Sequence, residues 1–363
     1  MKVLIIHASA GAGHRRAAEA IYNYLKEDSP DLDLVLLDAL DKTNALFKFD
    51  YIKGYSFLIK YATALWHWAF WATDFKFLRP ISRTVARIIN CINSQKLIHY
   101  FIQENPEVII STHFLASELA AALKKKNKIT SKLITVITDY GVHPFWISPG
   151  TDLYVVASDF TKNRLVMEGV EAEKISVLGL PFDPKFLRHF DRRVLCHKLG
   201  IDYKKFTVLL MTGSFGLGPL EEIIESLHKD CQVLVVCAGN KKLYSKLLKR
   251  NLEDVKVFGF ISNAEELMAA SQVIITKPGG STITEVLIME LPVVFISAIP
   301  GQETANVEAL AGYGIGVSPK NIEEIKNYVL DLKNNPQKIL QLRQKIREIQ
   351  KPLACKELAS VIR

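Results

Sequence analysis

Short apolar runs separated by amphipathic stretches set the pattern of this chain. Val3–Ile6, Leu34–Leu37, Val108–Ile110, Leu133–Ile137, Leu153–Val156 and Ile175–Leu178 are brief, nearly uninterrupted aliphatic segments. Runs of that length without polar alternation predict strands buried on both faces of a parallel sheet. Several are followed by segments of helical periodicity, which predicts a βα rhythm. Leu180-Pro181-Phe182-Asp183-Pro184 breaks the rhythm, and with the basic stretch to Lys205 it reads as an inter-domain connection. The rhythm restarts with Val208–Met211, Val233–Val236, Val255–Phe258, Val273–Thr276 and Val293–Ile296, and from Asn321 onward the chain is helix-forming. The expectation is an α/β chain of two domains, 1–180 and 181–345, with a C-terminal helix, 346–363, packing back on the first. A doubly wound sheet binds ligands at the carboxyl ends of its strands. Two such sheets facing each other make a cleft suited to a substrate.

Composition narrows the class. A chain of 363 residues, 49% hydrophobic, is large enough for two cores. The first apolar run ends at His7, too early for a secretion signal. The stretch from Tyr61 to Thr73 is interrupted by His67 and falls short of the ~20 residues that span a bilayer, so no transmembrane helix is expected. Five scattered cysteines without a CxxC pair argue against zinc and fit a reducing cytosol.

The net charge of +8 invites an anionic partner, and its location is informative. Between Lys42 and Tyr100 nine Lys/Arg stand against two acids, together with Trp66, Trp68 and Trp71, three of the four tryptophans. Lys76, Arg79, Arg83 and Arg87 share one helical face; Ile81, Val85, Ile88, Ile89 and Ile92 share another. A basic amphipathic helix beside amphipathic aromatics reads as a membrane-surface element. Each basic group near an anionic leaflet contributes ~1 kcal/mol. An ordinary core helix and a single-stranded nucleic-acid platform are the alternatives. Aromatics mixed with aliphatics, and charge confined to one domain, favour an anionic membrane surface and no nucleic acid. A cytoplasmic protein, peripheral on the inner face of the cell membrane, is expected.

Three glycine-rich turns follow predicted strands. In Ser9-Ala10-Gly11-Ala12-Gly13-His14, glycines let the backbone approach a ligand and the helix start offers free amides. Arg16 occupies the last position of a GxGxxG spacing, so a dinucleotide site is poorly supported. His14 is the residue of chemical interest there, although alone it reads equally as a capping or packing histidine. Thr212-Gly213-Ser214-Phe215-Gly216-Leu217-Gly218 suits a pyrophosphate held by backbone amides. Lys277-Pro278-Gly279-Gly280-Ser281-Thr282 opens another helix, and Glu285 lies one turn further in, placed to accept from ribose hydroxyls. Gln302, Glu303 and Asn306 bring amide and carboxylate groups to one loop, which suits sugar hydroxyls.

These residues resemble the monogalactosyldiacylglycerol synthases and bacterial diacylglycerol glucosyltransferases, relatives of the MurG-type transferases. The resemblance runs over nearly the whole chain: Gly11 to Ile21, Thr138-Asp139, His143-Pro144-Phe145-Trp146, Gly179-Leu180-Pro181-Phe182, and Gly259-Phe260 through Pro278-Gly279-Gly280-Ser281 to Gln302-Glu303. It implies the GT-B fold of two Rossmann-like domains. It implies an inverting hexosyl transfer from a UDP-sugar to diacylglycerol, with no metal and no cofactor beyond the donor itself. His14 is then the base or the orienter of the acceptor, with Asp139 as partner or substitute. Gly11, Gly13, His143 and Trp146 fall on the acceptor side. Gly213, Ser214, Gly216, Gly279, Gly280, Ser281 and Thr282 would hold the pyrophosphate, the backbone at Phe260 and Ile261 would meet the uracil, Glu285 the ribose, and Gln302 and Glu303 the sugar. Thr212 and Ser214 depart from the pattern, standing where relatives often carry glycine. The rivals are UDP-GlcNAc transfer to a polyprenyl-pyrophosphate lipid and a UDP-sugar 2-epimerase, for which the basic aromatic segment has no purpose.

Overall fold

The computed structural model describes residues 1–9, 11–61, 79–213, 216, 218–299 and 301–362. The expectations for Trp66, Trp68, Trp71 and Ser214 lie outside the described residues, as do those for the side chains of Arg79 and Gln302. Each predicted strand is present: β1 Lys2–His7, β2 Asp33–Asp38, β3 Val108–Ser111, β4 Lys132–Val136, β5 Leu153–Val156, β6 Ile175–Val177, β7 Thr207–Met211, β8 Gln232–Val236, β9 Val255–Phe258, β10 Val273–Thr276 and β11 Val293–Phe295. They form two parallel sheets, ordered β2-β1-β3-β4-β5-β6 and β11-β10-β7-β8-β9.

The chain divides into two compact units. One holds Met1–Asp183, Ile299–Ala305 and Lys351–Arg363, and the other Pro184–Ala298 and Asn306–Gln350. In the first unit alternate residues of each strand enter different cores. Leu4, Ile6, Ile109 and Leu133 meet Leu97, Phe101, Leu115 and Leu119 on one face. Val3, Ile5, Val108, Ile110 and Ile134 meet Ala18, Ile21, Leu25, Leu358 and Ile362 on the other. This is why the runs lack alternation: both faces of a doubly wound sheet are dry. The Ala354–Ile362 helix thus packs beside the Ala12–Asp28 helix. In the second unit Val208, Leu210, Val233, Val235 and Ile275 pack against Ile223, Leu227, Leu247, Ile325 and Val329.

Strand order decides where a ligand can sit. In each sheet one pair of neighbours marks the place where the winding reverses: β1/β3 in the first (Ile6 opposite Ser111) and β7/β10 in the second (Met211 opposite Thr276). The loops leaving those strands diverge to opposite faces and open a crevice at the carboxyl ends. All three glycine-rich turns leave strands of these two pairs. The helices that follow them, Ala12–Asp28, Leu220–Leu227 and Gly280–Ile288, begin at Gly11, Pro219 and Gly279 with no side-chain cap. By contrast Ser158, Asp191, Asn240 and Asn321 cap their helices with side-chain oxygens.

Helix Arg79–Asn93 is amphipathic in the phase predicted, but reversed relative to an ordinary surface helix. Its polar side meets the protein: Arg83 donates to the Ile147 carbonyl, and Asn90 Nδ2 donates to Glu118 Oε2 at 2.9 Å. Its apolar side is exposed, from Ile81 (65%) through Val85, Ile88 and Ile89 to Ile92 (67%). Arg87 is exposed, whereas Arg83 is half-buried and engaged by the fold. Among the described residues no helix is long and apolar enough to cross a membrane.

Candidate functional site

At the first switch point, His14 lies in the opening turn of the Ala12–Asp28 helix. Its Nδ1 is 2.9 Å from the Thr112 carbonyl oxygen and 2.7 Å from Thr138 Oγ1. A carbonyl oxygen can only accept, so Nδ1 carries the ring proton and Nε2 keeps its lone pair. Thr112 Oγ1 donates back to the His14 carbonyl at 2.9 Å, fixing the backbone as well as the ring. Desolvation pulls the His14 pKa below the ordinary histidine value. It outweighs the opposing pull of the Asp139 carboxylate and of the Thr112 hydrogen bond, and His7 adds to the lowering. The imidazole is therefore neutral near pH 7, with its basic nitrogen unprotonated.

Two further histidines that sequence reasoning passed over complete this cluster. His113 follows β3 and is buried at 1% exposure. Its ring meets His14 edge to face at 4.7 Å, and its Nδ1 accepts from the Leu115 amide at 3.1 Å, capping the Phe114–Lys125 helix. Burial drives its pKa well below the usual value, with His14 and His7 adding to the shift. His7 ends β1, is buried, and its Nδ1 has no hydrogen-bond partner among the described residues. Its pKa is lowered mainly by burial, against the Asp38 and Glu19 carboxylates. The available signal was positional: His7 ends an apolar run and His113 lies two residues past β3, both at the carboxyl edge of the sheet.

The remaining acceptor-side residues fall around this cluster with distinct roles. Trp146 is buried at 4% and packs 6.0 Å from the His14 ring and 5.8 Å from Phe114, so it forms a wall rather than a surface contact. His143 caps the short turn Pro144–Trp146, accepting from the Phe145 amide at 3.3 Å. Asp139 is buried beside Thr138, and its charge favours a protonated His14. Gly11 has extended backbone and a Cβ there would meet nothing within 4 Å, so neither strain nor crowding demands glycine. Gly13 lies in the first turn of the same helix.

At the second switch point, Gly213 (φ +76°) and Gly216 (φ +55°) are left-handed, which a non-glycine residue adopts only with strain. A Cβ on Gly216 would stand 2.4 Å from the Cys237 carbonyl, whereas one on Gly213 or Gly279 would enter open space. Gly280, Ser281 and Thr282 form the first turn of the Gly280–Ile288 helix, where unpaired amides and the positive end of the dipole favour an anion. Glu285, a turn further on, is buried at 6%. Phe260 and Ile261 follow β9, and Phe260 is 80% exposed.

The loop expected to face a sugar is partly committed to the fold. Glu303 is buried and accepts from the Ile299 amide at 2.7 Å. Asn306, wholly buried, donates to the Pro278 carbonyl at 2.9 Å and so braces the third glycine turn instead of facing solvent. The segment Ile299–Ala305 belongs to the first unit, where Ala305 presses on Gly141: a Cβ at Gly141 would lie 2.4 Å from the Ala305 Cβ.

Two Rossmann-like parallel-sheet halves of this kind define the GT-B architecture. The crystal structure of Acinetobacter baumannii MurG superimposes with a TM-score of 0.64, covering 99% of both chains at 16% identity. The family model for monogalactosyldiacylglycerol (MGDG) synthase matches residues 14–182, and the glycosyltransferase family 28 C-terminal domain matches residues 207–358. Monogalactosyldiacylglycerol synthase 1, chloroplastic, of Arabidopsis thaliana is 33% identical over 347 residues, 91% of this chain and 64% of that protein. The processive diacylglycerol beta-glucosyltransferase of Staphylococcus epidermidis is 30% identical over 374 residues, 99% of this chain and 93% of that protein. The chain belongs to the family of monogalactosyldiacylglycerol synthases and processive diacylglycerol glucosyltransferases. It spans just under two thirds of the length of the plant relatives.

Proposed function

We propose that this protein transfers a hexose from a UDP-sugar to the free hydroxyl of diacylglycerol at a membrane surface, with inversion and without a metal. The observation that carries the chemistry is the locked tautomer of His14, whose Nδ1 proton is committed to the Thr112 carbonyl at 2.9 Å. A lipid hydroxyl is a weak nucleophile until a base takes its proton. His14 Nε2 accepts that proton as the acceptor oxygen bonds to the anomeric carbon. The bond from that carbon to the diphosphate oxygen breaks, and UDP leaves with the electron pair. Asp139 steadies the imidazolium that results. Amides of the second and third glycine turns stabilise the leaving diphosphate, a role suited to preorganised donors, and Glu285 holds the ribose.

The exposed apolar face of the Arg79–Asn93 helix supplies the contact with lipid. Five exposed Ile and Val side chains on one face gain stability on entering the acyl region, and basic residues such as Arg87 favour anionic headgroups. The test is purified protein on anionic vesicles containing diacylglycerol, offered UDP-glucose and UDP-galactose separately with EDTA present, with the lipids analysed by mass spectrometry. A hexosyl-diacylglycerol product names the donor and supports the metal-free step. A product formed only after Mg²⁺ is restored would overturn that step. A protein that binds UDP yet yields no glycolipid from either donor would move the reading to a polyprenyl-pyrophosphate acceptor or to sugar epimerisation.

A further inference from the structure

We propose that His113 is a positioning residue for the reaction: its buried ring, edge-on to His14, holds the His14 imidazole in its reactive orientation and keeps water from it. The inference rests on the role proposed for His14. It goes beyond that role because it assigns His113 an effect exerted through His14 and not a proton transfer of its own.

The geometry gives His113 two functions in one side chain. Its Nδ1 is taken by the Leu115 amide at 3.1 Å, so the ring proton sits on Nε2 and the ring plane is fixed by the helix start. Its flank then meets His14 at 4.7 Å with the planes 81° apart, a T-shaped contact that restrains rotation of His14 about its own side-chain bonds. Around His113, Phe114 (4.2 Å), Tyr51 (6.0 Å) and Trp146 (6.5 Å) pack against its ring in turn. Residues 112 and 113 therefore grip His14 twice, through the Thr112 carbonyl and through the His113 ring.

The electrostatic setting agrees. The groups acting on His14 are Asp139 and the Thr112 hydrogen bond, which favour its charged form, and His7, which opposes it; desolvation exceeds them all. Those acting on His113 are burial, His14 and His7. His7 is in turn influenced by Asp38, Glu19 and Asp41, which raise its pKa, and by Arg15, which lowers it. With burial the first cause for His14, removing a ring that excludes water raises the His14 pKa toward the ordinary value.

The variant of choice is His113→Asn. Asparagine is among the best N-cap residues, so the bond to the Leu115 amide is retained while the ring is lost. Thermal unfolding checks that the fold survives, and His113→Gln serves as a second variant of intermediate bulk. Two readouts are taken: the pH dependence of kcat and KM on diacylglycerol vesicles, and the His14 titration followed by NMR of imidazole-labelled protein, assigned with His14→Ala. The expected result is a fall in kcat on the order of 10-fold, KM nearly unchanged, and an upward move of both the acid limb and the His14 titration. An unmoved His14 titration in a folded His113→Asn protein would overturn the proposal and leave His113 a helix cap alone. Because the titration needs no turnover, it decides the matter even if the wild-type protein glycosylates no lipid, an outcome that would count against the proposed reaction instead.

Discussion

Replacing Thr138 by valine tests the hydrogen bonding that orients His14. Thr138 Oγ1 lies 2.7 Å from His14 Nδ1, and the residue is buried. Valine keeps the branched shape and deletes the hydroxyl. The Nδ1 proton is not orphaned, because the Thr112 carbonyl at 2.9 Å still accepts it. The desolvation cost of an unpaired buried donor is therefore avoided, and the loss is that of one net hydrogen bond, about 0.5–1.5 kcal/mol. If that loss is felt in the transition state and not in the bound ground state, kcat falls about 2- to 13-fold. That is far smaller than the 10²- to 10⁴-fold typical of deleting a general base, which is the expected outcome for His14→Ala. The assay is kcat and KM for diacylglycerol in vesicles at saturating donor, with thermal unfolding as control. A loss of 100-fold or more in a folded Thr138→Val protein would show that the threonine, not the carbonyl, holds the tautomer, and the reasoning about Nδ1 would be wrong.

Stability should depend on pH through the same cluster. His7, His14 and His113 all have folded-state pKa values below the unfolded value. Below the model-peptide value of about 6.5 the unfolded chain therefore binds more protons than the native one. Stability is fully present above that pH and is lost as pH falls through the folded-state values; a midpoint temperature that stays flat from pH 7 to 5 would contradict this. Gly216→Ala adds a Cβ 2.4 Å from the Cys237 carbonyl at a φ of +55°. A destabilisation of about 2 kcal/mol or more is expected by denaturant titration, and a change under 0.5 kcal/mol would refute the close approach. Ile88→Ser with Ile92→Ser alters side chains that are 53% and 67% exposed. Unfolding should shift little while vesicle binding weakens at least 10-fold, given about 1.5–3 kcal/mol for each buried isoleucine; equal vesicle binding would remove this helix from the membrane contact.

Much of the fold was legible from local pattern. Apolar runs such as Val208–Met211 mark strands because a parallel sheet with helices on both faces has no solvated side to demand alternation. The second glycine turn was legible because left-handed backbone at Gly213 and Gly216 is a local steric requirement. The amphipathic phase of Arg79–Asn93 was also plain, but which face the protein would take was not. Sequence gives two faces and no rule for the outer one. Arg83 and Asn90 turned inward to Ile147 and Glu118, leaving the isoleucines outside.

The chain's own sequence determined the strands, the division into two α/β halves and the family, because each is written in residues that are neighbours along the backbone. Tertiary structure alone decided what stands beside what. Placing β3 next to β1 brings Thr112 and His113 to His14 across nearly a hundred residues. The loop after β4 adds Thr138. Asn306 likewise becomes a brace for Pro278. Periodicity reports burial along one segment at a time. Strand order and the pairing of buried polar groups are settled only when distant segments compete for the same sheet edge and the same hydrogen bonds.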